Sequence, residues 1–271
     1  MPFTFSHPAA VLPFLSGGRG RGPLLASALV AGSLAPDVPF FTQSLLPGSY
    51  RVGRAGHLVR AVPTLDVAIA AGLVAGWHGL LREPLVALLP DPWADRADAL
   101  TAPRRKRGSP PTWQEAARFG GSAALGALTH LGWDSFTHRG CTGVRLLPVL
   151  NREIGGMPGY LALQWGTSAL GLGALAVAGT RTLRDPEPVE PRRTVLDRRT
   201  RGRATAFLAA SAVAGAVQRS RHYLAKHHGG RRPGMSELVA IVSFGGGAGL
   251  ALGATAYALA VRLTGRRSPA T

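Results

Sequence analysis

The segment Thr129-His-Leu-Gly-Trp-Asp-Ser-Phe-Thr-His138 sets two imidazoles and a carboxylate at four-residue intervals. On an α-helix each such step advances about 40° around the axis and about 6 Å along it, so His130, Asp134 and His138 share one face. His130 and Asp134 are spaced to grip one divalent cation. His138, about 12 Å from His130 on an unbroken helix, joins them only if the helix ends or a second ion is present, and Gly140 permits such an ending. The chemistry such a group supports is metal-assisted hydrolysis, in which the ion lowers the pKa of water and offsets developing negative charge. A second reading of His130 and Asp134 stays open, a buried hydrogen-bonded pair that pins two helices together. No Ser/His/Asp nucleophile arrangement is present, and Gly245-Gly-Gly-Ala-Gly249 lies in an apolar run with no strand before it, where helix packing explains it better than phosphate binding. Any hydrolysis therefore rests on metal.

The elements that must position these groups are membrane helices. Apolar residues make up 46% of the 271 and charged ones 17%, below the quarter or so usual in soluble domains, and the charges gather in loops. Leu238 to Val261 is uncharged over 24 positions and Tyr160 to Thr180 over 21, each enough to cross about 30 Å of hydrocarbon. Residues 61–81 and 115–136 are similar in length but carry Asp66, His78, Arg118, His130 and Asp134. Ionisable groups at such depth cost about 2–3 kcal/mol or more unless paired, hydrated or metal-bound, which makes them functional candidates. Shorter apolar stretches cover Pro8–Leu15, Leu24–Ala35 and Ala204–Val217, the last only 14 residues between basic flanks, open to a short crossing or to an interfacial position. The expected fold is all-α, a polytopic transmembrane bundle of five or six membrane segments. It divides into a membrane domain over 1–180, a basic, Pro-rich and flexible linker over 181–203, and C-terminal membrane segments over 204–271.

The formal charge of +17 would suggest nucleic acid in a soluble protein, but its placement argues against that partner. The basic stretches 104–107, 181–203 and 219–232 lie between apolar segments, where Lys and Arg hold loops on the cytoplasmic side and attract anionic lipid headgroups. His222, His227 and His228 belong to that lipid-facing surface, and His78 beside Trp77 reads as an interfacial anchor. No cleavable signal peptide is expected, and the single Cys141 has no partner for an internal disulfide. The expected location is the cell membrane, with multiple passes.

With the Pro-rich connection over 82–114 on the cytoplasmic side, the helices over 61–81 and 115–137 run in opposite directions. Asp37, His57, Asp66 and the end of the segment His130 to His138 then fall at one membrane boundary. His7 joins them only if residues 8–35 fold back as a re-entrant hairpin; an outright crossing strands it on the other side. Asp37 between Pro36 and Pro39 also suits a turn, and His57 in a Gly/Arg loop also suits a solvated position.

Met1-Pro-Phe-Thr-Phe-Ser-His7-Pro-Ala-Ala-Val-Leu-Pro13, Gly32-Ser-Leu-Ala-Pro-Asp37, Gly126-Ala-Leu-Thr-His-Leu-Gly-Trp-Asp-Ser-Phe-Thr-His138 and Gln164-Trp-Gly-Thr-Ser168 resemble the signatures of the bacterial membrane family called domain of unknown function 4184. The resemblance covers about residues 1–180. It implies a helical membrane protein, marks His7, Asp37, His130, Asp134 and His138 as motif positions, and carries no established activity. At 57–58 the family pattern reads His-Ser, from which Leu58 departs. More loosely, the order His, Pro-Asp, His, His-x3-Asp is similar to the membrane-bound metal-dependent hydrolases of bacteria, and His-x3-Asp-x3-His to the zinc site of phospholipase C and its nuclease relatives. That similarity implies a divalent metal, zinc, held by His7, Asp37, His130, Asp134 and His138, with His57 and Asp66 as general base or orienting group and a lipid or phosphodiester as substrate. The competing expectation is a non-enzymatic transporter or assembly factor whose His/Asp cluster is a structural network.

Overall fold

The computed structural model describes residues 3–43, 45–46, 48–91, 93–103, 110–184, 196–226 and 233–265. The arginines of 104–107, the prolines at 186, 188 and 191, and His227 and His228 lie outside the described residues.

The described residues are nearly all helical, with two antiparallel pairs of two-residue strands among them, β1 (Leu15–Ser16) with β2 (Arg19–Gly20) and β3 (Glu153–Ile154) with β4 (Met157–Pro158). Thr4–Phe14 forms a 3-10 helix instead of an α-helix, consistent with Pro8 and Pro13, neither of which has an N–H to donate. The β1–β2 turn reverses the chain into α1 (Ala26–Leu34). Residues 4–34 thus go out and come back, and neither arm has the length of a crossing. After Pro36 come α2 (Val38–Thr42) and α3 (Ser49–Gly56).

Next comes one continuous helical stretch, Val59–Val86, which contains α4 (Val67–Gly76) and α5 (Arg82–Val86) joined by π-helical turns. It runs five residues past the predicted end at 81. The predicted connection over 82–114 is therefore partly helical, with α6 (Trp93–Thr101) folded against α5: the Arg82 guanidinium donates to the Asp98 carbonyl at 2.6 Å and pairs with its carboxylate at 3.1 Å. A residue that looked like loop charge is buried by a partner 16 positions away.

α7 (Trp113–Thr137) begins at a capping box, the Glu115 N–H donating to Thr112 Oγ1 and the Thr112 N–H to Glu115 Oε2. It stops at His138, whose backbone is extended, and Gly140 at φ +76° turns the chain into α8 (Thr142–Leu146). α9 (Gly159–Leu183), α10 (Arg198–Lys226) and α11 (Met235–Gly265) are the remaining described helices. α10 is 29 residues long, twice the predicted apolar stretch, because the helix continues through the arginines on both sides.

Among the described residues three helices are long and apolar enough to cross a membrane: Val59–Val86, Gly159–Leu183 and Met235–Thr264. They expose apolar side chains such as Leu170, Val177 and Leu252, as a lipid-facing helix does, and mark the chain as a membrane protein. α7 and α10 have the length, but polar side chains interrupt them.

The residues fall into two compact units. The first holds Met1–Pro39, Gly48–Val74 and Lys106–Asp185, centred on Ala28, Ala31, Ala35, Ala70 and Ala123. Its tightest contact is α1 on α7. A Cβ on Gly32 would sit 2.1 Å from the Ala123 carbonyl oxygen, and one on Gly126 would sit 2.2 Å from that of Leu29. The second unit holds Phe40–Pro47, Ala75–Arg105 and Pro186–Thr271. There α10 and α11 pack backbone to backbone, since a Cβ on Gly249 would meet the Ser211 carbonyl at 2.1 Å. Gly249→Leu should lower stability in detergent by at least about 1–3 kcal/mol, the usual cost of overpacking, measurable as a fall in unfolding temperature.

Candidate metal centre

Four separated pieces of chain deliver the cluster, all within the first unit. The 3-10 segment brings His7, the Pro36 turn brings Asp37, the end of α3 brings His57, and one face of α7 brings His130 and Asp134, with His138 at its end. His7, Asp37 and His130 are fully buried, Asp134 is 6% exposed, and the side chains of His57 and His138 are each 24% exposed. The fold-back of residues 4–34 places His7 beside α7, its ring stacked on that of His130 with centroids 3.7 Å apart.

Asp134 is the hub. Its Oδ2 lies 3.5 Å from His57 Nε2 and 3.6 Å from His130 Nε2; its Oδ1 lies 3.5 Å from His7 Nε2 and 3.6 Å from His138 Nδ1. Asp37 Oδ1 lies 3.4 Å from His57 Nε2 and 3.7 Å from His130 Nε2. These separations are too long for good hydrogen bonds, which fall at about 2.7–3.2 Å. Each has the length expected between two neighbouring donors of one tetrahedral ion about 2.1–2.3 Å away, close to the distances of zinc to nitrogen and oxygen.

The opposite edges of the imidazoles are anchored. His130 Nδ1 lies 2.8 Å from the Ser33 carbonyl oxygen, His57 Nδ1 2.8 Å from that of Gly53 and His138 Nδ1 3.0 Å from that of Asp134. A carbonyl only accepts, so each Nδ1 carries the proton. In the neutral ring Nε2 is then a lone pair, and for His57 and His130 it is aimed at carboxylate oxygens. That arrangement needs positive charge between the partners, either a second proton on the ring or a cation. A carbonyl on the far nitrogen is also what fixes the tautomer of metal-bound histidines. Thr4 Oγ1 donates to Asp37 Oδ2 at 2.6 Å and turns Oδ1 toward His57 and His130.

Electrostatics carry the same demand. Burial pulls the His57 pKa down, but contacts with Asp134 and Asp37 outweigh it and raise the pKa to about 10. Burial and then the neighbouring His130 push His7 down to about 3, so its ring is neutral. Eight buried atoms of the cluster have no hydrogen-bond partner among the described residues: both ring nitrogens of His7, both carboxylate oxygens of Asp66, Asp37 Oδ1, Asp134 Oδ1, His130 Nε2 and His138 Nε2. At about 1–3 kcal/mol for each unsatisfied group, their cost rivals the entire stability of a domain, about 5–15 kcal/mol. The donor set therefore fits a divalent cation, and two groups of ligand atoms are close enough to hold one: His7, His130 and Asp134, and Asp37, His57 and His130.

Asp66 is fully buried on the turn before α4, near enough to His57 and His130 to feel their charge, with Oδ1 facing the backbone of Gly56. His57 stands beside Asp37 and Asp134 among the inward-facing donors, not behind them. Sequence reasoning missed Thr4. It sits three residues before His7, on the same edge of a 3-10 helix though not of an α-helix, so its signal is readable only once the helix type is known. Thr4→Val should weaken metal affinity by about 10–100-fold, the usual cost of losing a group that orients a ligand, as read by metal titration.

A family model described as Domain of unknown function (DUF4184) matches residues 1–259, well past the 180 positions over which motifs are recognisable by eye. Neither the curated proteins nor the solved structures give a match, and the looser similarity to metal-dependent hydrolases and phospholipase C has no support among these comparisons.

Proposed function

The chain belongs to the DUF4184 family, and on that premise we propose that it is a membrane-embedded metal-dependent hydrolase acting on a lipid or other phosphodiester. The observation that carries the proposal is the set of carboxylate–imidazole separations of 3.4–3.7 Å around Asp134 and Asp37, with three Nδ1 atoms anchored on carbonyls. A divalent ion in such a site, zinc being the best match, supplies an acidified water and offsets charge on a phosphoryl oxygen.

The chain's own residues divide the remaining work. His130 would hold the ion with His7 and Asp134 or with Asp37 and His57, and Thr4 and the Ser33 carbonyl would fix the orientation of Asp37 and His130. The wetter edge at His57 and His138 admits substrate. Asp66, buried and without a hydrogen-bond partner among the described residues, would take up a proton in this reading.

The lipid preference rests on what borders that edge. α8 packs on the end of α7, a Cβ on Gly143 meeting the Phe136 ring at 2.6 Å, and beyond it Leu146, Leu147, Val149 and Ile154 stand exposed beside Arg145 and Arg152, just before α9 enters the membrane. Apolar side chains among arginines suit the headgroup layer of an anionic bilayer. With α7 and α10 read as further crossings of a multi-pass cell-membrane protein, the count is five.

The test is hydrolysis of bis(p-nitrophenyl) phosphate and of anionic glycerophospholipids in mixed micelles by protein purified without chelators. The proposal expects turnover that a chelator abolishes and zinc or manganese restores. Metal retained without turnover of either substrate sinks the hydrolase reading. A protein that retains no metal while folding normally leaves the structural network.

A further inference from the structure

His130 belongs to both groups of ligand atoms, that with His7 and Asp134 and that with Asp37 and His57, and its Nδ1 already donates to the Ser33 carbonyl. Nε2 alone serves both groups, so only one of them can hold an ion at a time. The planes of the rings decide which. An imidazole nitrogen binds a cation along a lone pair that lies in the ring plane. His7 is stacked on His130, with centroids 3.7 Å apart and planes inclined by 17°. Planes so nearly parallel meet only about 10 Å away, whereas zinc sits about 2.0–2.1 Å from an imidazole nitrogen. No single ion lies in both. His57 instead meets the His130 ring edge to face, with centroids 5.3 Å apart and planes inclined by 75°, so the two planes cross close to the rings. Asp37 Oδ1 stands 3.4 Å from His57 Nε2 and 3.7 Å from His130 Nε2.

The anchoring of the side chains makes the same division. Metal-bound histidines almost always donate their far N–H to a carbonyl, a carboxylate or water. His57 donates to Gly53 and His130 to Ser33, both at 2.8 Å, and Thr4 Oγ1 holds the far oxygen of Asp37 at 2.6 Å. His7 is fully buried, its Nε2 lies 3.5 Å from Asp134 Oδ1, and neither ring nitrogen has a hydrogen-bond partner among the described residues. Its ring contacts are aromatic. Besides His130 it meets Trp133, with centroids 5.4 Å apart, and Trp133 Nε1 donates to Thr167 Oγ1 on α9 at 2.9 Å.

We propose that the centre holds one divalent cation, bound by Asp37 Oδ1, His57 Nε2 and His130 Nε2, and that His7 is a positioning residue whose ring, set against Trp133, fixes the plane of His130. This rests on the metal-binding part of the reading above and makes His57 a ligand instead of a general base. Three protein donors leave a tetrahedral ion a fourth position for water or a substrate oxygen, as in catalytic zinc sites. Of the three ligands only His57 reaches solvent, with its side chain 24% exposed, so substrate approaches from its side. Asp134 Oδ2 lies 3.5 and 3.6 Å from the same two nitrogens, and its charge with that of Asp37 balances the ion.

The experiment titrates zinc into the full chain in detergent, stripped of metal, with elemental analysis for the ion count and circular dichroism for folding. The wild type should bind one ion per chain. His57→Ala should weaken binding by more than about a hundredfold, beyond the cost of losing an outer-shell partner. His7→Ala should weaken it by about 10–100-fold, and His7→Phe, which restores a flat ring without a nitrogen, should recover most of that loss. Zinc lost from folded His7→Phe, retained at wild-type affinity in His57→Ala, or bound at two ions per chain in the wild type overturns the assignment while leaving the hydrolase reading standing. No ion in the wild type overturns both. The expected pattern of affinities without turnover of either substrate supports the assignment and sinks the hydrolase reading alone. If His7→Phe fails to fold, His57→Ala and the wild-type count decide.

Discussion

Asp134→Asn should abolish metal binding while leaving most of the helical content in place. Both Asp134 oxygens face imidazoles, two on each. The amide keeps one oxygen, loses the charge, and turns an NH₂ toward ring nitrogens whose lone pairs it ties up in hydrogen bonds. Since losing even an outer-shell partner costs about 10–100-fold in affinity, losing this carboxylate should cost well over a hundredfold. Thermal unfolding reads the result. An ion at about 100 times its dissociation constant stabilises the folded chain by about 2.7 kcal/mol, so zinc should raise the unfolding temperature of the wild type and leave that of Asp134→Asn unchanged. Hydrolysis should fall with the metal. If the variant still gains stability from zinc, Asp134 is not the hub.

The second large effect comes from a residue that touches no ligand. Gly126→Ala places a methyl group where the Leu29 carbonyl oxygen is 2.2 Å away and the Ser33 nitrogen 2.8 Å, so α1 and α7 must separate. Overpacking of this kind costs about 1–3 kcal/mol. It also moves the Ser33 carbonyl that lies 2.8 Å from His130 Nδ1, so the same methyl should lower metal affinity by about tenfold or more. Isothermal titration with zinc, beside circular dichroism, separates the two consequences. Lower stability with unchanged zinc affinity would mean that the α1–α7 contact does not position His130.

How much of this was legible in the sequence depends on the range of the signal. The i, i+4 spacing of His130, Asp134 and His138 is local, and so is the stop at Gly140; both read directly. Asp37 announced itself by its prolines and His7 by a motif, but their meeting depends on a fold-back whose outward arm is a 3-10 helix, a form without the 3.6-residue signature. His57 has no periodicity to display, and only the tertiary position of α3 gives it a role. The membrane spans were legible where charge was absent, at 159–183 and 235–264. Elsewhere packing overrode composition. Arg82 is buried through Asp98, so helix persists to Val86. Arginines at both ends of 204–217 hid a 29-residue helix that packs through Gly215 and Gly249 against its neighbour.

The central claim is that the convergence of His7, Asp37, His57, His130 and Asp134 is a metal site. X-ray absorption at the zinc edge, on natively purified protein in detergent, tests it most directly. A metal site predicts an edge of stoichiometric height, a first shell of nitrogen and oxygen at about 2.0–2.2 Å, and the outer-shell scattering of imidazole. A folded protein with no zinc edge, and none for manganese or iron, would contradict it.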